Sequence, residues 1–186
     1  MSAILILGVA RKANPIINLI SAMATERAYQ LRRWGIRQPD GTFLDKKSSS
    51  YQYLCYIVNY VDEAIKQLTT EAGSEHALGT IRKIATLAYV AVDSHGCDPL
   101  SSIGAETEVV TNGGASVAYF LMLMKGVCHI ATEDMTESED AKAITAKAMH
   151  GIFDVCVACS KIHNIPNRII DDTIINGRDG QPSTTA

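Results

Sequence analysis

The chain has 186 residues, of which 47% are hydrophobic, 20% charged and 6% aromatic, and this composition excludes a disordered or fibrous protein. Seventeen Lys and Arg against twenty Asp and Glu give a formal charge of -3, so no basic field favours non-specific binding to DNA or RNA. The apolar stretch Ala3 to Ala10 is too short to span a membrane, and no basic segment precedes it as in a signal peptide. We therefore expect a cytoplasmic protein with no membrane partner.

The five cysteines are an odd number in a chain long enough to fold without disulfides, which favours a reducing compartment over secretion. Cys156 and Cys159 form the one CxxC pair, and no second pair completes a zinc site. They lie in an apolar run, so we expect both to pack in the core.

Apolar residues spaced three and four apart predict helices along most of the chain. Asn164 and Pro166 end the last long helix, and a short amphipathic piece follows over 168–175. A polar linker is expected over 132–140, and Ile4 to Leu7 is the only candidate strand. In chain order, the predicted helical segments are 16–34, 53–68, 74–92, 115–124 and 141–162.

The short Thr, Gly and Ser link after residue 68 indicates an antiparallel helical hairpin. We predict an all-α helical bundle built from two such hairpins, forming one domain over 1–176 with halves at about 23–100 and 112–175 and a flexible tail over 177–186. The segment 115–124 is apolar on all faces, as a helix buried on every side would be. The expected core residues are Leu54, Ile57, Val61, Ile84, Ala88, Val127, Ile152 and Val155.

The two predicted hairpins align with each other. Residues 53–63 match 119–129 at an offset of 66, and residues 84–92 match 152–160 at an offset of 68. This similarity has two interpretations. Either the two hairpins arose by internal duplication, or they show only the similarity that any two helical hairpins have when aligned.

Ionisable residues within apolar helices are the candidates for chemistry. Asp154 has apolar neighbours on every side of its helix, so its carboxylate needs a partner. That partner is a helix hydrogen bond, a salt bridge to Lys147 or Lys161, or a divalent or phosphate-bound metal. His150 precedes it by one turn, and His129 precedes Glu133 by one turn, so both pairs share a helix face. Glu63, beside the stripe of the first hairpin, is a similar candidate.

The segment Glu26-Arg-Ala-Tyr-Gln30-Leu-Arg-Arg-Trp34-Gly35, followed by a Pro-Asp-Gly-Thr loop and a hairpin, resembles the opening of MazG-like all-α nucleoside triphosphate pyrophosphohydrolases, especially small phage-type members. Residues 57–64 and 81–92 resemble the two metal-binding helices of that family, and 125–129 with 154–166 resemble them more weakly. The resemblance implies nucleotide binding through Gln30 and Trp34, a homodimer, and a cytoplasmic location, in the host if the gene is a phage's.

In that family, clustered carboxylates hold Mg²⁺ or Mn²⁺ against a triphosphate, which is converted to monophosphate and pyrophosphate. By the resemblance, Glu63 and Asp154 are the catalytic residues and His129 joins them as a metal ligand. Most of the positions that are acidic in the family carry other residue types in this chain. They read Asn59, Tyr60, Glu63, Lys83 and Thr86 in the first hairpin and Lys125, Gly126, His129, Gly151 and Asp154 in the second.

Lys83 and Lys125 thus stand where acids are expected, and an ammonium contacts phosphate without a metal. By the resemblance, we expect the chain to be a pyrophosphohydrolase or an inactive homologue that binds a nucleotide or a partner protein. A shift in register would instead recruit Asp62, Glu71 or Glu75 as ligands. A further alternative is an HD-type metal phosphohydrolase using His95, His129, His150 and Asp154, although the chain has no adjacent His-Asp pair.

Overall fold

The computed structural model describes residues 14–34, 49–71, 73–94, 114–137 and 140–168. These residues form five helices and no strand, which confirms the all-α bundle. The candidate strand Ile4 to Leu7, the segment 169–175 and the tail 177–186 lie outside the described residues. The helices are α1 (Pro15–Trp34), α2 (Ser50–Gln67), α3 (Gly73–Ser94), α4 (Val117–Glu137) and α5 (Ala141–Ile162).

Local signals set several helix ends. Ser49 caps α2 in a reciprocal box: its hydroxyl accepts from the Gln52 amide at 3.2 Å, and the Gln52 side chain accepts from the Ser49 amide at 2.7 Å. Asp140 caps α5 by accepting from the Ala143 amide at 3.0 Å. Gly73 begins α3 with a φ of 48°, a left-handed conformation that favours glycine.

The helices pack as two neighbouring hairpins, α2 with α3 and α4 with α5, and α1 packs against α3 and α5. Helices α3 and α5 are each 22 residues long and both begin and end 68 residues apart, which is the offset of the sequence alignment. The equal bounds agree with an internal duplication, which stays a prediction.

The core extends through all five helices. Helices α3 and α5 lie at its centre, because each contacts the other four helices, and α5 buries twelve of its side chains. Seven of the eight expected core residues are buried, and Val127 is only partly so. Within the described part of the chain, α5 alone has the length and apolar composition of a membrane span, but 67% of that stretch is buried in the bundle, as in the core helix of a soluble protein.

Helix α4 differs from the expectation in two ways. It continues to Glu137 through most of the predicted linker, because Ala131 and Met135 still pack inward there while Thr132 and Glu133 face solvent. It is also not enclosed on all sides. One face, including Phe120 and Met124, is buried, whereas Tyr119 and Met122 are exposed.

Candidate functional site

A polar cluster joins α2 to α3 and contains Glu63, Gln67, Thr80 and Lys83. The Gln67 amide donates to Glu63 Oε1 at 3.0 Å, and Thr80 donates to Gln67 Oε1 at 2.8 Å. The Lys83 ammonium donates to the same Glu63 oxygen at 3.4 Å. The family resemblance implied metal-binding carboxylates on this pair of helices. Instead, the Lys83 ammonium contacts the Glu63 carboxylate.

Tyr60 borders this cluster. The Lys83 ammonium lies 5.5 Å from the centroid of the Tyr60 ring, within the range of a cation–π contact. Burial, followed by the negative charges of Glu63 and Glu26, raises the pKa of the Tyr60 hydroxyl above its usual value. Contacts with Glu63 and Tyr60 of α2 thus hold the Lys83 ammonium in place.

A buried ion pair joins α1 to α3. Glu26 Oε2 and Arg82 Nε are 3.0 Å apart, and the two side chains are only 2% and 5% exposed. Gln30 donates to the second oxygen of Glu26 at 3.4 Å, and Arg27 donates to Gln30 at 3.3 Å. The Glu26, Arg27 and Gln30 side chains of the sequence motif therefore connect to Arg82, which the sequence analysis did not single out.

The segment after α5 returns to the first three helices. Arg82 Nη1 donates to the carbonyl of Pro166, and the Arg168 amide donates to the Thr25 hydroxyl at 2.9 Å. The Arg168 guanidinium stacks 3.9 Å from the centroid of Tyr29 on α1. Residues 166–168 are therefore fixed against the middle of α1 and of α3.

An open cleft of about 430 Å³ lies between this segment and the α2–α3 hairpin. Four of its lining residues carry basic side chains, namely His76, Arg82, Lys83 and Arg168, and one, Glu75, is acidic. The other lining residues are Gln67, Gly79, Thr80, Pro166 and Asn167. Basic groups therefore predominate at this cleft, although the whole chain is acidic.

Arg82 bonds through Nε and Nη1, but among the described residues Nη2 has no hydrogen-bond acceptor. A Cβ on Gly79 would lie 3.9 Å from Nη2, so a larger side chain at position 79 would pack against that nitrogen. A buried guanidinium that lines a cleft and has a nitrogen without an acceptor favours an anionic ligand there.

The predicted metal ligands do not come together. No group of three or more His, Cys, Asp or Glu side chains within the described residues could hold a metal ion, and Glu63, His129 and Asp154 lie on α2, α4 and α5. His129 instead pairs with Glu133 at 3.3 Å on an exposed surface. The described residues therefore do not form the carboxylate cluster that the family resemblance implied for Mg²⁺.

The remaining candidates are dispersed. Lys125 donates to Asp62 at 2.8 Å on the α2–α4 side and does not line the cleft. Asp154, expected to be buried, is half-buried. Trp34 ends α1, and its side chain lies outside the described residues, as does His95 of the HD-type alternative.

Cys156 and Cys159 are buried, as expected. Burial raises the pKa of the Cys159 thiol to about 12. Burial also raises the pKa of the Cys156 thiol well above 9.0, with smaller contributions from Cys159 and Asp154. Both are core thiols with little thiolate character.

No family model, no curated protein and no solved structure matches this chain.

Proposed function

We propose that this protein binds a nucleotide through its phosphates, in the cleft between the α2–α3 hairpin and residues 166–168, and does not hydrolyse it. The observation that carries the proposal is the buried Arg82 side chain, which lines the cleft beside Gly79 and whose Nη2 lacks an acceptor among the described residues. An unsatisfied buried donor costs free energy that an anionic oxygen would recover.

The other cleft residues suit the same ligand. Lys83 and Arg168 add positive charge, and Asn167 offers a polar group for the rest of the nucleotide. Lys83 is 26% exposed in its side chain, so its ammonium keeps donors for phosphate while Glu63 and Tyr60 position it. The MazG-like motifs support a nucleotide as the source of the phosphate.

The absence of hydrolysis follows from the carboxylates. Glu63 already accepts from Gln67 and Lys83, and it belongs to no described group of three or more His, Cys, Asp or Glu side chains that could hold a metal ion. Positive side chains can hold a triphosphate, but they do not generate a metal-bound hydroxide at neutral pH. The alternative, a MazG-like pyrophosphohydrolase with one Mg²⁺ or Mn²⁺, requires ligands that the described residues do not bring together.

Titration calorimetry with ATP, GTP, CTP and UTP tests the proposal. We expect binding that persists in EDTA, weakens with added NaCl because ammonium–phosphate contacts are screened, and falls about tenfold or more in Lys83→Gln through loss of a charge-assisted hydrogen bond. Gly79→Leu, which would cover Arg82 Nη2 without changing the charge, should weaken binding similarly.

Two lysines outside the cleft give matched controls. Lys125→Gln and Lys142→Gln remove the same charge from other surfaces and should leave the affinity unchanged. Metal-dependent pyrophosphate release that is lost in Glu63→Gln or Asp154→Asn would overturn the proposal and establish the hydrolase. No binding of any nucleotide would overturn it in favour of a protein partner.

A further inference from the structure

Helix α3 places one carboxylate at the largely basic cleft. Glu75 and Arg82 both line the cleft, as does Gly79 between them. Because these residues are four and three positions apart, they lie along one side of α3. Lys83 directly follows Arg82, whereas Glu75 is about two turns before it. The side of the cleft that α3 forms is therefore positive at one end and negative at the other.

The Glu75 carboxylate is accessible to a ligand. Glu75 is exposed, and within the described part of the chain its oxygens have no hydrogen-bond donor or ion-pair partner. A carboxylate repels phosphate, so this end of the cleft does not suit the anionic part of a nucleotide. It suits a neutral donor, because an ionised carboxylate only accepts hydrogen bonds. In a nucleotide, the neutral donors next to the 5′-phosphate are the hydroxyls of the ribose.

The spacing along α3 suits one sugar. Gly79 follows Glu75 by four residues, which is about 6 Å along a helix. The Arg82 guanidinium reaches back to the level of Gly79, since its Nη2 lies 3.9 Å from the position of a Cβ there. A ribose ring with its 5′ carbon bridges a distance of this size between the 5′-phosphate and the 2′ and 3′ hydroxyls. Because Gly79 has no side chain, the ring can lie against the helix.

We propose that Glu75 selects ribonucleotides over 2′-deoxyribonucleotides, by accepting hydrogen bonds from the 2′ and 3′ hydroxyls while Arg82 holds the phosphates. This inference rests on the proposed function, because the phosphate at Arg82 places the sugar beside Glu75. A site that bonds a substrate hydroxyl discriminates against the analogue that lacks it. Since Glu75 is exposed, water replaces part of the lost bond, and the expected preference is about tenfold.

Titration calorimetry that compares ATP, GTP, CTP and UTP with their 2′-deoxy counterparts, in EDTA, tests the role of Glu75. Each ribonucleotide that binds should bind about tenfold more tightly than its deoxy counterpart. Glu75→Ala should remove this preference, so that the two forms bind equally, and Glu75→Gln should reduce it. The ratio of the two affinities is the readout, because a change in folding or in total charge affects both forms alike.

Glu71→Ala is the matched control. Glu71 is exposed in the link between α2 and α3 and does not line the cleft, so its replacement removes the same charge and should leave the preference unchanged. Glu75 also lies in the first turn of α3, where a negative charge stabilises a helix. Circular dichroism therefore verifies that Glu75→Ala is folded before its affinities are compared.

The outcomes separate the selection of the sugar from the binding of the phosphates. Equal binding of ribonucleotides and deoxyribonucleotides to the parent protein would reject the role of Glu75 and leave the phosphate site intact. A preference for ribonucleotides that survives in Glu75→Ala would reject that role as well, because another group would then contact the hydroxyls. No binding of either form would overturn the proposed function and this inference together.

Discussion

Replacing Glu26 by Ala should lower the free energy of unfolding by about 3–5 kcal/mol. Glu26 and Arg82 are almost fully buried and 3.0 Å apart, so the variant leaves a guanidinium charge in the interior without its counter-charge. Gln30 would also lose its acceptor on α1. Urea unfolding followed by circular dichroism measures the effect.

The exposed pair His129–Glu133 is the control. Its two side chains are 73% and 65% exposed, so Glu133→Ala should change the free energy of unfolding by less than about 0.5 kcal/mol. The double variant Glu26→Met with Arg82→Met should lose less stability than the sum of the two single variants, because neither charge is then left alone. An equal cost for Glu26→Ala and Glu133→Ala would show that the pair is not desolvated.

Above pH 9 the free energy of unfolding should fall as pH rises, by about 1.4 kcal/mol per pH unit for each buried thiol. Burial, with a smaller contribution from Asp62, raises the pKa of Cys128 from 9.0 to about 11. Burial raises the pKa of Cys159 to about 12 and raises the pKa of Cys156 well above 9.0. The native protein therefore keeps protons that the unfolded chain has released.

The sign follows from that difference in bound protons. Below pH 9 the thiols are protonated in both the native and the unfolded state, and the stabilisation from burying them is fully present. Between pH 9 and about 11 only the native state keeps the proton of Cys128. Urea midpoints at pH 8, 9, 10 and 10.5 measure the slope. Cys128→Ala removes one titrating group and should reduce the slope by about 1.4 kcal/mol per pH unit. An identical slope in Cys128→Ala would contradict the assignment.

The helices could be predicted from the sequence because their apolar stripes report which side is buried. Helix α5 begins and ends where the periodicity does. The end of α4 was missed, because Thr132 to Asp134 occupy the exposed side of a helix and in the sequence look the same as a linker. The internal duplication and the domain limits at 1–176 stay predictions.

The candidate site was less predictable. Lys83 was identified from the sequence and lines the cleft, but its pairing with Glu63 depends on how α2 faces α3. Arg82 was missed because its partner Glu26 is 56 residues away, and a charge within an apolar stripe does not indicate its counter-charge. Arg168 was missed for the same reason, since it reaches the cleft only when the segment after α5 folds back.

The hydrogen bond between Arg168 and Thr25 spans 143 residues, whereas Thr80 and Gln67 are 13 apart. Closing a long loop costs more chain entropy than closing a short one, so the α2–α3 hairpin can form early, while the return of residues 166–168 to α1 comes late in folding. The same contacts should open first under native conditions, so amide exchange at Arg168 should be faster than in the middle of α3. Amides on the α3 side of the cleft would then stay protected from exchange longer than those of residues 166–168. A bound ligand would slow exchange most at residues 166–168.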